Sequence, residues 1–208
     1  MKRDSWQELH LKQEPLLVII SGLSGVGKDS IISRLKKREP NLEQITTLTT
    51  RPRRAREKDN IDYRFVTREE FKQMVESNEL LEWAEVYGNF YGVPKKQVKK
   101  ALEEGKDVLL KVDIQGAETL KRIFPQAILI FLTTASREEL KSRLKKRGTE
   151  SEEELELRLK TAEEELKKLP LFDYVILNQE GEITRAVQTI RAIITAEKHR
   201  TKHQKISL

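Results

Sequence analysis

The run Leu16-Leu17-Val18-Ile19-Ile20-Ser21-Gly22-Leu23-Ser24-Gly25-Val26-Gly27-Lys28-Asp29-Ser30 sets the architecture of this chain. Five apolar residues in a row have the pattern of a strand covered on both faces of a parallel sheet. From Gly22 to Lys28 the chain fits G-x-x-x-x-G-K, and helical spacing begins at Ile31-Ile32 with Leu35. Strand, glycine loop, lysine and helix in that order make a phosphate loop in the context it requires. The backbone N–H groups of Gly22, Leu23, Ser24, Gly25, Val26 and Gly27 are free to turn toward phosphate oxygens, and the helix adds its positive N-terminal end. Lys28 brings a mobile charge to the β and γ phosphates.

One position departs from the motif. A Ser or Thr usually follows the lysine and offers its hydroxyl to Mg²⁺, whereas this chain has Asp29 and then Ser30. Asp29 reads either as a carboxylate capping the helix or as a replacement ligand to magnesium or a magnesium-bound water. Both readings stand at this level.

Further apolar runs at Val108-Leu109-Leu110, Ala127 to Leu132 and Tyr174-Val175-Ile176-Leu177 read as core strands. Helical signals separate and follow them. Pro94 opens a stretch to Glu104 before Gly105, Ser136-x-x-Glu139 and Ser151-x-x-Glu154 form capping boxes, and Ile183 to Ile194 is periodic. The alternation predicts an α/β sheet with right-handed crossovers. Two stretches interrupt it. Residues 46–95 read as a small inserted subdomain, with short strands at Ile61 to Val66 and Leu80 to Tyr87 around a helix capped by Thr67-x-x-Glu70. Residues 136–165 are helical, charge-dense and broken at Gly148-Thr149, a composition suited to a lid. Residues 1–15 read as an N-terminal extension and residues 197–208 as a basic tail, leaving 16–196 as one domain.

Composition narrows the chemistry. The 208 residues, 37% hydrophobic and 36% charged, suit one core with appendages and exclude collagen-like, fully disordered and membrane-spanning classes. The polar segment Asp4 to Glu8 stands where the apolar part of a signal peptide would begin, so the sequence predicts a cytoplasmic protein. There is no cysteine, and the three histidines, His10, His199 and His203, lie near the chain ends. Catalysis must therefore run on Lys, Arg, carboxylates, hydroxyls and backbone amides. A net charge of +6 favours anionic partners.

A second cluster gathers Thr47-x-Thr49-Thr50-Arg51-Pro52-Arg53-Arg54, Asp62-Tyr63-x-Phe65, Glu82-Trp83-Ala84-Glu85 and Gly88-Asn89-Phe90-Tyr91-Gly92. Arginines with tyrosines grip a second phosphate well, because guanidinium forks and phenol donors match its oxygens; a solvated basic loop is the plain alternative. Together with Asp113-x-Gln115-Gly116 and Arg147-Gly148-Thr149-Glu150, these motifs occur in an order and spacing that resembles the guanylate kinase family from about residue 16 to residue 196. The resemblance implies an α/β fold with a P-loop NTPase-type parallel sheet flanked by helices, an inserted GMP-binding subdomain and a helical lid. It also implies transfer of the γ-phosphoryl group of ATP to GMP or dGMP, with Mg²⁺ as cofactor, in purine nucleotide metabolism.

By that resemblance Arg51, Arg54, Tyr63 and Tyr91 hold the GMP phosphate, and Glu82 reads guanine with Thr47, which stands where Ser is usual. Val93 stands where Ser or Thr is usual, and Asp113 falls in the acceptor site. Arg143, Arg147 and Arg158 match lid arginines, although Lys141, Lys145 and Lys146 alone would make that helix read as a solvated basic face. Asn178 matches a position near the ATP adenine. Lys111 departs from the family, which usually has an acidic residue two before Asp113. A ribose bisphosphate kinase also shares Gly-Lys-Asp-Ser, but Glu82 and the arginine loop argue against it. A guanylate-kinase-like scaffold module would have no use for a complete phosphate loop and lid arginines. The basic residues are better used by mononucleotides than by nucleic acid, and neither a membrane partner nor an oligomeric state is implied.

Overall fold

A computed structural model describes residues 14–55, 57–147, 151–201, 206 and 208, with only the backbone described at Arg147. The expected N-terminal extension up to residue 13, Gly148-Thr149-Glu150 and much of the basic tail lie outside these residues.

The expected strands form β1 (Leu17–Gly22), β7 (Asp107–Lys111), β8 (Ile128–Thr133) and β9 (Tyr174–Leu177). With the short β2 (Leu42–Gln44), which carries no clear apolar run, they make a parallel sheet ordered β2-β7-β1-β8-β9. β1 is central, and all six of its residues are buried. This explains its unbroken apolar run, since helices cover both faces of a parallel sheet. Helices α1 (Lys28–Lys36), α3 (Lys95–Glu103), α4 (Ile114–Ile123) and α7 (Ile183–Lys198) contribute Ile31, Val98, Leu120 and Ile190 to this core. No helix among the described residues is long and apolar enough to cross a membrane.

The second sheet is mixed, ordered β4-β3-β6-β5, from β3 (Leu48–Thr49), β4 (Arg64–Phe65), β5 (Leu80–Val86) and β6 (Asn89–Pro94). It has a small core of its own, Leu48, Phe71 and Leu80, with Phe71 supplied by α2 (Arg68–Glu76). The Thr67–Glu70 capping box is present in both directions. The strand expected from Ile61 to Val66 shrinks to Arg64–Phe65. Asp62 accepts from Lys58 N–H and Asp59 from Phe65 N–H, and Asn60 takes a left-handed φ of 59°. Asx hydrogen bonding thus wraps residues 58–63 into a turn that leaves Ile61 exposed.

Helices α5 (Arg137–Arg147) and α6 (Glu152–Leu166) follow β8. Ser151 and Glu154 complete the second capping box. At α5, Ser136 accepts from Glu139 N–H, while the Glu139 carboxylate reaches Ala135 N–H instead of Ser136. Despite their charge, the two helices sink Leu140, Leu144, Leu155 and Leu159 into the main core.

Asp107, 3% exposed, binds three elements together: it begins β7, accepts from Leu16 N–H at 3.0 Å and pairs with Lys198 of α7 at 2.6 Å. Asp107→Ala strands a buried amide and loses a buried ion pair. Urea unfolding should show a loss of about 2–4 kcal/mol.

Candidate active site

The two sheets and α6 enclose a cleft of about 450 Å³. The phosphate loop forms one end, between β1 and α1. Gly22, Gly25 and Gly27 all have φ between 85° and 136°, and a Cβ on Gly22 would fall 2.1 Å from Leu132 O. Glycine at 22 is thus required twice, by conformation and by contact with β8. Lys28 Nζ donates to Gly22 O at 2.6 Å and Leu23 O at 3.1 Å, which curls the side chain back over the loop. Burial pulls its pKa down to about 8, against the charges of Glu165 and Asp29.

Ser24, Lys28, Asp29 and Ser30 line the cleft, whereas Leu23 and Val26 are buried and their N–H groups donate within the fold, Leu23 to Leu132 O at 3.2 Å and Val26 to Leu23 O at 3.3 Å. Asn178 follows β9 and is also buried behind the loop. Its Nδ2 donates to Val26 O at 2.7 Å, and its own carbonyl accepts from Arg143. Arg143 donates to Val26 O as well, at 3.0 Å, and pairs with Glu139. Arg158 donates to Ser24 Oγ at 2.7 Å and lies over the Tyr87 ring. Arg147 is the expected site residue whose side chain falls outside the described residues.

Asp29 does not serve as the helix cap. Gly27 holds the N-cap position of α1 without any side-chain hydrogen bond, and Asp29 Oδ1 instead pairs with Lys111 Nζ at 2.6 Å.

The other end of the cleft is acidic and buried. Glu82, on β5, is 6% exposed and Thr47 is 3% exposed; Glu82 Oε2 and Thr47 Oγ1 have no partner among the described residues. Burial, with the charge of Asp113, pushes the Glu82 carboxyl up to about 8. Asp113 caps α4 through Gly116 N–H at 3.0 Å, and burial raises its pKa too. A Cβ on Gly116 would lie 2.9 Å from Glu82 Oε2, so glycine makes room for the carboxylate. Val93, opposite Glu82 in the β5–β6 register, is wholly buried in the main core.

Between the ends lie Arg51, Arg54, Tyr63 and Tyr91, all lining the cleft. Tyr63 and Tyr91 meet edge to face, with centroids 5.9 Å apart, and Arg51 sits 5.7 Å from the Tyr63 ring.

Sequence reasoning missed two carboxylates. Glu57 pairs with Arg51 at 2.7 Å and accepts from Arg54 N–H at 2.8 Å, holding the arginine loop in shape. Nothing in its spacing marks it. Glu165 of α6 lines the cleft, and burial pushes it up to about 7 against the opposing pull of Lys28. It stands two helical turns after Arg158, on the same face, a signal hidden in the run Glu163-Glu164-Glu165.

A phosphate loop at one end, two unpartnered buried acceptors at the other and paired arginines between them suit two nucleotides meeting at their phosphates. A family model for guanylate kinase matches residues 14–197. The chain belongs to the guanylate kinase family. The guanylate kinase of Caldanaerobacter subterraneus subsp. tengcongensis is 48% identical, with 95% of each chain covered. That of Halalkalibacterium halodurans is 43% identical over 89% of this chain and 90% of its own. The crystal structure of guanylate kinase from Anaplasma phagocytophilum superimposes with a TM-score of 0.77 at 33% identity, covering 92% of this chain and 90% of that one. As a guanylate kinase family member the protein is an ATP-dependent kinase of GMP.

Glu82 has a measurable stability signature. Its carboxyl is raised in the folded chain and ordinary in the unfolded one, so folding loses stability as pH climbs from about 4.5 to about 8. Glu82→Gln should raise Tm at pH 8 by at least about 3 °C, and calorimetry should find the gain shrinking toward pH 5.

Proposed function

We propose that the chain binds GMP or dGMP with guanine against Glu82 and Thr47, and its phosphate among Arg51, Arg54, Tyr63 and Tyr91, while the loop from Gly22 to Ser30 holds ATP. The observation that carries this reading is the pair of buried, unpartnered atoms Glu82 Oε2 and Thr47 Oγ1 on residues that both line the cleft. Guanine presents N1–H and a 2-amino group to such acceptors. Adenine presents neither, and AMP would leave the buried carboxyl without the two donors that favour its ionised form. Because guanine favours the ionised carboxylate, GMP binding near pH 7 releases the proton that burial holds on Glu82. Asp113 supports this end through its cap on α4 and its charge beside Glu82.

Phosphoryl transfer asks the protein for alignment and charge, with little covalent work. Lys28 leaves its carbonyl partners for the donor phosphates, and their charge raises its pKa again. Arg143 and Arg158 already touch the loop at Val26 and Ser24, and with Arg147 they supply cations for the transferring group. Asn178 acts from behind the loop, by fixing Val26. Magnesium keeps most of its waters and leans on substrate phosphates, so one or two protein oxygens suffice. Asp29, while paired with Lys111, and Ser30 would hold such an ion together with ATP, and the ion would supply charge neutralisation. The reading keeps the expectation of a cytoplasmic enzyme of purine nucleotide metabolism.

A coupled assay of ADP release should give kcat/KM for GMP and dGMP at least about 100-fold above AMP, UMP or ribose bisphosphate. Comparable rates with AMP would remove the guanine assignment. For the arginines, Arg143→Ala, Arg147→Ala and Arg158→Ala should each lower kcat at least about tenfold with little change in nucleotide affinity. Near-normal kcat in all three would leave Arg143 and Arg158 as structural supports of the loop only.

A further inference from the structure

Lys111 closes β7 with its side chain almost wholly buried, and its ammonium sits where the two ends of the cleft meet. Nζ lies 2.6 Å from Asp29 Oδ1, 3.4 Å from the carbonyl oxygen of Asp62 and 3.8 Å from the centroid of the Tyr63 ring. Asp29 follows the loop lysine on the donor side. Asp62 and Tyr63 come from the turn that carries the acceptor-side tyrosine. An ammonium has three N–H groups and no acceptor, so it can be shared among several partners at once. Here those partners come from opposite sides of the site.

We propose that Lys111 is a positioning residue that ties the donor and acceptor sides of the cleft together, so that the alignment of the two nucleotides depends on this ammonium. The proposal rests on the assignment of donor and acceptor ends given above. In-line transfer is sensitive to displacements of about 1 Å. Without the tie, Asp29 and Tyr63 are placed by separate elements, α1 and the turn before β4. Each subsite then keeps its own contacts with its nucleotide. The distance between them loses its fastener.

The two ends of the tie differ in burial, which selects the variant. The Asp29 side chain is 59% exposed and that of Lys111 4%. Removing the ammonium leaves a carboxylate that water can solvate, whereas removing the carboxylate leaves a buried cation short of a partner. Lys111→Met keeps the length and apolar stem of the side chain and is the variant expected to fold.

The experiment compares the unchanged chain, Lys111→Met, Lys111→Arg, Asp29→Asn and the double variant Asp29→Asn/Lys111→Met. It measures kcat, and by calorimetry the separate affinities for GMP and for a non-hydrolysable ATP analogue. Lys111→Met should lower kcat at least about fivefold while each nucleotide alone binds within about threefold of the unchanged chain, and Lys111→Arg should recover most of the rate. In the Asp29→Asn background Lys111→Met should lose most of its effect, since the tie is already cut. A smaller fall in kcat, or an equal loss of GMP affinity measured alone, overturns the proposal, as does an undiminished effect in the Asp29→Asn background. If Lys111→Met does not fold, Lys111→Gln must meet the same fivefold and threefold limits, and missing either overturns the tie. Phosphorylation of GMP by the unchanged chain tests the assignment of the two ends separately, so failure of one is not mistaken for failure of the other.

Discussion

Turning a run of backbone amides toward one point forces the matching carbonyls outward into protein, where each must find a donor. The loop from Gly22 to Lys28 meets this constraint with three side chains. Lys28 covers the carbonyls of Gly22 and Leu23, and Asn178 with Arg143 covers that of Val26. Asn178 comes from the end of β9 and Arg143 from α5, so the loop is held by elements far away in sequence that the parallel sheet brings to its back. Much of the architecture follows from that need. The sheet puts β9 beside β8, β8 beside β1, and β8 also receives the close approach of Gly22.

The cleft then sorts its charges by solvent. Glu82 and Glu165 are held toward their neutral forms by burial, while Glu57, hydrogen-bonded to Arg51, is held below the usual carboxylate range although burial works the other way. A buried acid without a partner costs stability in the free chain, and the same unmet acceptor discriminates between purines. Stability and specificity are thus set against each other at one atom.

The main sheet was legible because its strands are continuous apolar runs and its loop carries glycine where only glycine fits. β2 was hidden by its length of three residues. The strand expected over Ile61 to Val66 failed for a local reason, the Asp59 and Asp62 side chains, which compete with a sheet ladder for the backbone. At the site, motif residues were legible because their chemistry is distinctive. Glu57 and Glu165 were not, since a carboxylate in a charge-rich stretch looks the same whether it faces water or a cleft. The exchange of charge between positions 29 and 111 was visible in sequence as two departures, and the structure makes it a single 2.6 Å contact.

The small size of residue 25 has a mechanical consequence. A Cβ on Gly25 would lie 2.7 Å from Leu144 Cδ2, so α5 rests directly on the loop, with Leu140 beside Leu144. Peeling that helix away as a stiff flap would wet both leucines, at about 3–6 kcal/mol. A cheaper stroke would leave both leucines, with Arg143 between them, seated as a fulcrum and swing only the last turn, where Lys145, Lys146 and Arg147 stand. Levered in this way, the arginine nearest the pivot, Arg143, travels least and the one at the tip travels most.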